Sequence, residues 1–223
     1  MKLRFKRDWA MKLADDVTEP ETIGPVSEFS EILAEHSRSE AESKWELFPL
    51  NELGKLGWLG KPLNELGDDA REVVKNYLKT LIIPNTSIAY FRRNDNRQGE
   101  LEKLKTWLWL TRLQTIAASI ELAALEFREL SVKETINIGR ELVQLSVHED
   151  GPRRAIDYLA QKGIVVIVER TLPGSYLDGA AFLSQSGNPV IGLALRFDRV
   201  DYFWFTLVHE FVHSVRHVFD ASA

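Results

Sequence analysis

The chain of 223 residues contains no cysteine, two methionines and five histidines. Without cysteine there is no disulfide, no thiol nucleophile and no thiolate metal site, so histidine and carboxylate are the only strong metal ligands left. No run of about eighteen apolar residues occurs, which removes a membrane-spanning helix. The opening "MKLRFKRDWAMKLADD" is basic but lacks the apolar stretch of a secretory signal, so a cytoplasmic location is expected. A net charge of −5 offers no general attraction for nucleic acid, and direct nucleic-acid binding is not expected. The basic group Arg92, Arg93 and Arg97 reads as a solvated loop. No glycine-rich phosphate loop is present, and neither Ser175 nor Ser186 has the flanking residues of a nucleophile elbow.

What remains is a globular composition, 44% hydrophobic and 27% charged, with length for one large or two modest domains. Residues 1–48 read as an N-terminal arm followed by a mostly exposed helix, because Pro20, Gly24 and Pro25 interrupt any period and the apolar positions after Ser27 are sparse. Residues 49–148 read as a helical region. Asp68 or Asp69 is placed to cap a helix over about 70–80. The block 99–130 carries Leu101, Leu104, Leu108, Leu110, Leu113, Ile116, Ile120 and Leu122 at three-and-four spacing, with Trp107 and Trp109 belonging to a core rather than to a base-stacking platform. Ser131 and Glu134 form a capping-box pattern that opens a helix to about Val147. His148, near that helix end, needs no role beyond a favourable dipole contact. Asp150 and Pro152 open another helix, which Gly163 closes.

After Gly163 the period changes. "IVVIVE", "LDGAAFL" and "NPVIGLAL" are short β-type runs separated by turn signals, and the last two are close enough to pair antiparallel. A helix follows at once, with Asp198 or Asp201 as its cap. Helices, then strands, then a helix define an α+β fold.

That last helix carries "FWFTLVHEFVHSVRHV", which holds three of the five histidines. Side chains four residues apart share a helix face, so the imidazoles of His209 and His213 can converge on one point. Two imidazole nitrogens at that spacing suit zinc, and Glu210 beside the first can act as a general base on water at the metal. Phe203, Leu207, Phe211 and Val215 would equally furnish an amphipathic core helix with histidines on its wetter side. A buried helix, however, leaves both imidazoles needing partners, which a metal provides. His217 lies too far along the helix to join the other two and reads as a neighbour. Within residues 1–223, Asp220, Asp178 and Glu169 are the candidates for a further ligand. The strand 177–183 could receive a substrate by strand addition or be an ordinary interior strand.

The run from Pro152 to Val218, with "GIVVIVERTLPGSYLDGAAF" and "NPVIGLALRFDRVDYFWFTLVHEFVH", resembles the ImmA/IrrE family of metallopeptidases, in which an aromatic "FWFTL" leads into the zinc helix. "FPLNELGKLGWL" and "LKTWLWLTRLQTIA" resemble the helical segment that precedes that domain in some members. The resemblance implies a metallopeptidase domain over 149–223 with a small zincin-like sheet, zinc on His209 and His213, and Glu210 as general base. It implies a protein substrate or partner, a DNA-binding repressor or related regulator in mobile-element, toxin-antitoxin or stress-response circuits. The family's third ligand is a glutamate on a helix downstream of the motif, so here it is expected beyond Ala223, and the domain is expected to be incomplete at its C-terminus. Residues that bind substrate are not identified by the pattern. The competing expectation is a non-catalytic, antitoxin-like or transcriptional regulator that uses the same domain to bind a partner.

Overall fold

The computed structural model describes residues 48–80, 90–93, 100–120, 127–184, 186–194, 196–197 and 199–220. The expected helix before Phe48, and Arg97 and Asp198, lie outside them. The fold is α+β: six α-helices and a four-stranded mixed sheet among the described residues. In chain order these are α1 (Leu50–Lys55), α2 (Ala70–Thr80), β1 (Tyr90–Arg93), α3 (Glu100–Ser119), α4 (Val132–Leu145), α5 (Gly151–Ala160), β2 (Val165–Val168), β3 (Leu177–Leu183), β4 (Pro189–Leu193) and α6 (Val200–Asp220).

The sheet order is β1-β3-β4-β2. β3 and β4 form the expected antiparallel pair, with Gly179 opposite Leu193 and Ala181 opposite Ile191. Their turn is closed by Ser184 N–H donating to the Asn188 carbonyl at 2.9 Å, with Gly187 at φ +82°. β2 runs parallel to β4 on its far side. The fourth strand differs from the sequence expectation: Arg92 and Arg93 belong to β1, antiparallel to β3, and not to a loop. β3 is therefore flanked on both sides and is an interior strand, so it cannot accept a substrate strand while β1 is in place.

Opposite faces of the sheet carry separate apolar clusters, because successive side chains along a strand alternate faces. On one face, Leu104, Trp107, Leu108, Trp109 and Leu113 of α3 meet Ala180, Phe182 and Val190, and Phe48, Leu53 and Val74 extend the cluster. On the other, Phe203, Leu207, Phe211 and Val215 of α6 pack with Ile191, Leu193, Leu142 and Leu159. The leucine stripe of α3 is buried in its middle, whereas Leu101 and Ile120 are exposed. The helix stops at Ser119, whose hydroxyl donates to the Ile116 carbonyl at 2.7 Å, and residues 128–131 are non-helical, so a single helix to Leu130 does not form. Such side-chain bonds compete with helix propagation.

The α4 cap forms as the pattern requires: Ser131 N–H donates to Glu134 at 2.9 Å and Glu134 N–H donates to the Ser131 hydroxyl at 3.3 Å. Gly163 takes φ +75° just after α5. The remaining caps are formed differently: Asp68 and Asp69 lie in a short 3₁₀ turn directly before α2, Asp150 is the N-cap of α5 with Pro152 in the first turn, as expected, but its side chain makes no capping bond and pairs with Arg154 at 2.7 Å, and Asp201 sits inside α6 paired with Arg199. In the last two cases the nearby arginine offers a charge-assisted bond, stronger than a neutral amide donor.

Candidate metal centre

Helix α6 lies across β3 and β4 and touches β1. Its apolar residues bury one side, which fixes the rotation of the remainder. Thr206 and Glu210, one turn apart, sit over Gly179 of β3. A Cβ at Gly179 would stand 2.7 Å from Glu210 Cγ, 2.9 Å from Glu210 Oε1 and 2.9 Å from Thr206 Cγ2. Glycine here is the condition for a carboxylate between helix and sheet, since any side chain would occupy its volume. Glu210 is fully buried.

His209 and His213 lie on one continuous helix, next to Glu210 on the side away from Phe211. Their Nε2 atoms are 3.1 Å apart and their ring centroids 4.5 Å apart. At that distance one imidazole N–H can donate directly to the other ring, and two nitrogens each about 2.0–2.1 Å from a tetrahedral zinc stand roughly 3.3 Å apart, so the spacing also fits two ligands of one ion. His213 is buried and His209 half-buried, with the Phe205 ring stacked on His209 at 6.3 Å. As a donor set, two imidazoles beside a buried carboxylate fit the zinc that the spacing suggests, one protein ligand short. Among the described residues, no group of three histidines, aspartates or glutamates is arranged to hold a metal.

The candidates for that further ligand are held elsewhere. Glu169 accepts from Trp58 Nε1 at 3.1 Å and pairs with Arg112 Nε at 3.6 Å, on the α3 side of the sheet. Asp178, buried in β3, pairs with Arg196 Nη1 at 3.2 Å. Neither belongs to the His209–His213 centre. The side chains of Asp220 and His217 lie outside the described set. Two contributors escaped the sequence reading, Gly179 and Thr206. The signal for the first was the small-residue run Gly179, Ala180, Ala181 inside β3, which marks close approach of a helix; the second had none.

No family model, curated protein or solved structure matches the chain. Among the described residues no helix is long and apolar enough to cross a membrane.

Proposed function

We propose that the chain is a zinc-dependent endopeptidase of ImmA/IrrE type, with a zincin-like domain over 149–223, acting on a protein substrate such as a DNA-binding repressor. The observation that carries this reading is the convergence of His209 Nε2 and His213 Nε2 to 3.1 Å beside a carboxylate that a glycine admits to the interior. His209 and His213 would hold the metal, with a third ligand from outside the described residues. Zinc there would supply Lewis acidity toward a peptide carbonyl and lower the pKa of water. Glu210 would take the proton of the attacking water as its oxygen bonds to the carbonyl carbon, and deliver it to the departing amide nitrogen as the C–N bond breaks. It stands about 100° around the helix from His209.

The test is cleavage of a co-encoded DNA-binding protein, with zinc, by the wild type and by Glu210→Gln. We expect the substitution to retain zinc content and partner binding and to lower cleavage by about a hundredfold or more, the range for loss of a general base. Cleavage by both proteins removes Glu210 from the mechanism. Partner binding without cleavage by either selects the regulator.

A further inference from the structure

Among the described residues, Tyr176, just before β3, is the one non-glycine residue at positive φ, at 51°. A bulky side chain is strained in this left-handed region, and glycine is not. The turn that leads to it is held fast: Ser175 N–H donates to the Leu172 carbonyl at 3.1 Å, and Lys105 donates to the Pro173 carbonyl at 2.8 Å. Leu172 and Lys105 are both buried. Yet Tyr176 itself is 46% exposed, so burial repays little of the strain.

What the Tyr176 ring gains is a cation. The Arg196 guanidinium carbon stands 5.3 Å from the centroid of the Tyr176 ring and 5.3 Å from that of Phe197, which is also exposed. Arg196 Nη1 donates to Asp178 at 3.2 Å, and Asp178 is buried in β3. This ion pair fixes two exposed rings about one guanidinium. With its charge matched by Asp178 and two rings against it, Arg196 offers little to an acidic ligand, and what the cluster presents is ring surface.

The cluster is continuous with the His209–His213 centre. Phe197 meets Tyr202 of α6 edge to face at 5.0 Å. Tyr202, Phe205 and His209 follow one another at three-and-four spacing on one side of α6 and are partly exposed, whereas Phe203, Leu207 and Phe211 are buried. Phe205 in turn stacks on His209 at 6.3 Å. From Tyr202 to His209 is two helical turns, roughly 10 Å, the reach of about three residues of extended chain.

We propose that Tyr176, Phe197 and Tyr202, braced by Arg196, form a subsite for a large aromatic side chain of a bound polypeptide, about three residues from the scissile bond. The substrate as occupant rests on the peptidase reading; the ring cluster does not. An aromatic side chain gains ring–ring contact there beyond the area it buries, which serine does not.

The probes are two fluorescein-labelled peptides of alternating glycine and serine, one with a single tryptophan in place of a central serine. Binding to the whole protein is read by anisotropy with a chelator present, so that no hydrolysis intervenes. Wild type should bind the tryptophan peptide at least about tenfold more tightly than the serine peptide. Tyr176→Gly, which suits the positive φ, and Phe197→Ser, at an exposed position, should each lower that ratio at least about threefold. Equal or undetectable binding of the two peptides by wild type overturns the proposal, as does a ratio unchanged in the variants. If one variant does not fold, the other decides. Cleavage of the co-encoded DNA-binding protein, with zinc, separates the two readings. Selective binding without cleavage keeps the subsite and removes the peptidase, whereas cleavage with a peptide ratio near one keeps the peptidase and removes the subsite.

Discussion

The two faces of the sheet use one device for different ends. On the α3 face, Gly192 lets a helix come close, and a Cβ there would collide with Leu113 and stand 3.2 Å from Trp109. On the α6 face, Gly179 does the same, but what fills the space is Glu210 and Thr206. The first arrangement needs no explanation beyond packing, since leucine and tryptophan gain by leaving water. The second places a carboxylate between helix and sheet, where it must be matched by polar partners or a bound group. On the α3 face, Trp109 Nε1 donates to the Glu169 carbonyl at 3.1 Å, and buried Lys105 donates to the Pro173 carbonyl at 2.8 Å. One face is a scaffold, and the other is positioned by it.

The largest effect expected is on the scaffold. Leu113 is fully buried against Gly192, so Leu113→Ala should cost about 2–5 kcal/mol in urea unfolding, through lost burial and a residual cavity. Because α3 lies across the sheet from His209, zinc affinity of the folded variant should equal that of wild type. A loss of zinc affinity out of proportion to the unfolded fraction would show that the two faces are not separable.

Next come the glycines themselves. Gly192→Ala and Gly179→Ala each insert a methyl where neighbours already stand, at a cost of about 1–3 kcal/mol. They should differ in function: Gly192→Ala leaves zinc binding and cleavage at wild-type levels, and Gly179→Ala displaces the Glu210 carboxylate and lowers cleavage. Thr206→Ser removes the Cγ2 that stands 2.9 Å from the new methyl, so it should recover part of the stability lost in Gly179→Ala and none of that lost in Gly192→Ala. Equal recovery in both backgrounds would break the comparison.

Why the sequence revealed one face better than the other follows from where the information lies. The capping box at Ser131, the left-handed Gly163 and the β3–β4 hairpin depend on residues a few positions apart, and their spacing alone defines them. The four-residue helix spacing likewise placed His209 and His213 together before any tertiary contact was known. β1 depends on a partner far along the chain. Tyr90, Phe91, Arg92 and Arg93 show no alternation, and their pairing with β3 joins residues far apart in the sequence. The same gap hid Gly179 as a seat for Glu210, and it left Glu169 and Asp178 available as ligands until Trp58, Arg112 and Arg196 were seen to hold them. Local chemistry was legible; the closing of the sheet was not.

A smaller effect probes how firmly the scaffold holds the β2–β3 connection. Trp109→Phe removes the indole donor to the Glu169 carbonyl, worth about 1 kcal/mol, and because Trp109 is fully buried it adds a cavity cost of about 1–2 kcal/mol. Trp58→Phe removes the bond to the Glu169 carboxylate itself. If Glu169 were in reach of the metal, freeing it this way would raise zinc affinity. The separation of the faces predicts no change.

The smallest effect lies at the rim of the α6 face, at the start of α4. The Arg128 guanidinium, with further bonds from the Ser131 hydroxyl and amide, holds the Glu134 carboxyl down at about 2. A carboxyl depressed in the folded state contributes stability above its unfolded value, about 4.3, and that contribution is lost as the pH falls towards about 2. Wild type should therefore lose stability between those two values faster than Glu134→Gln, and the two unfolding curves should draw together as acid is added. Asp150 and Asp201 are depressed by Arg154 and Arg199 and titrate in both proteins, so the difference between them isolates Glu134. The group is fully exposed, and added salt should shrink the gap. A gap that persists unchanged at high salt would mean that the box acts through helix geometry rather than charge. In either case zinc binding at neutral pH should match wild type, because α4 supports α6 from behind and supplies no residue to the His209–His213 centre.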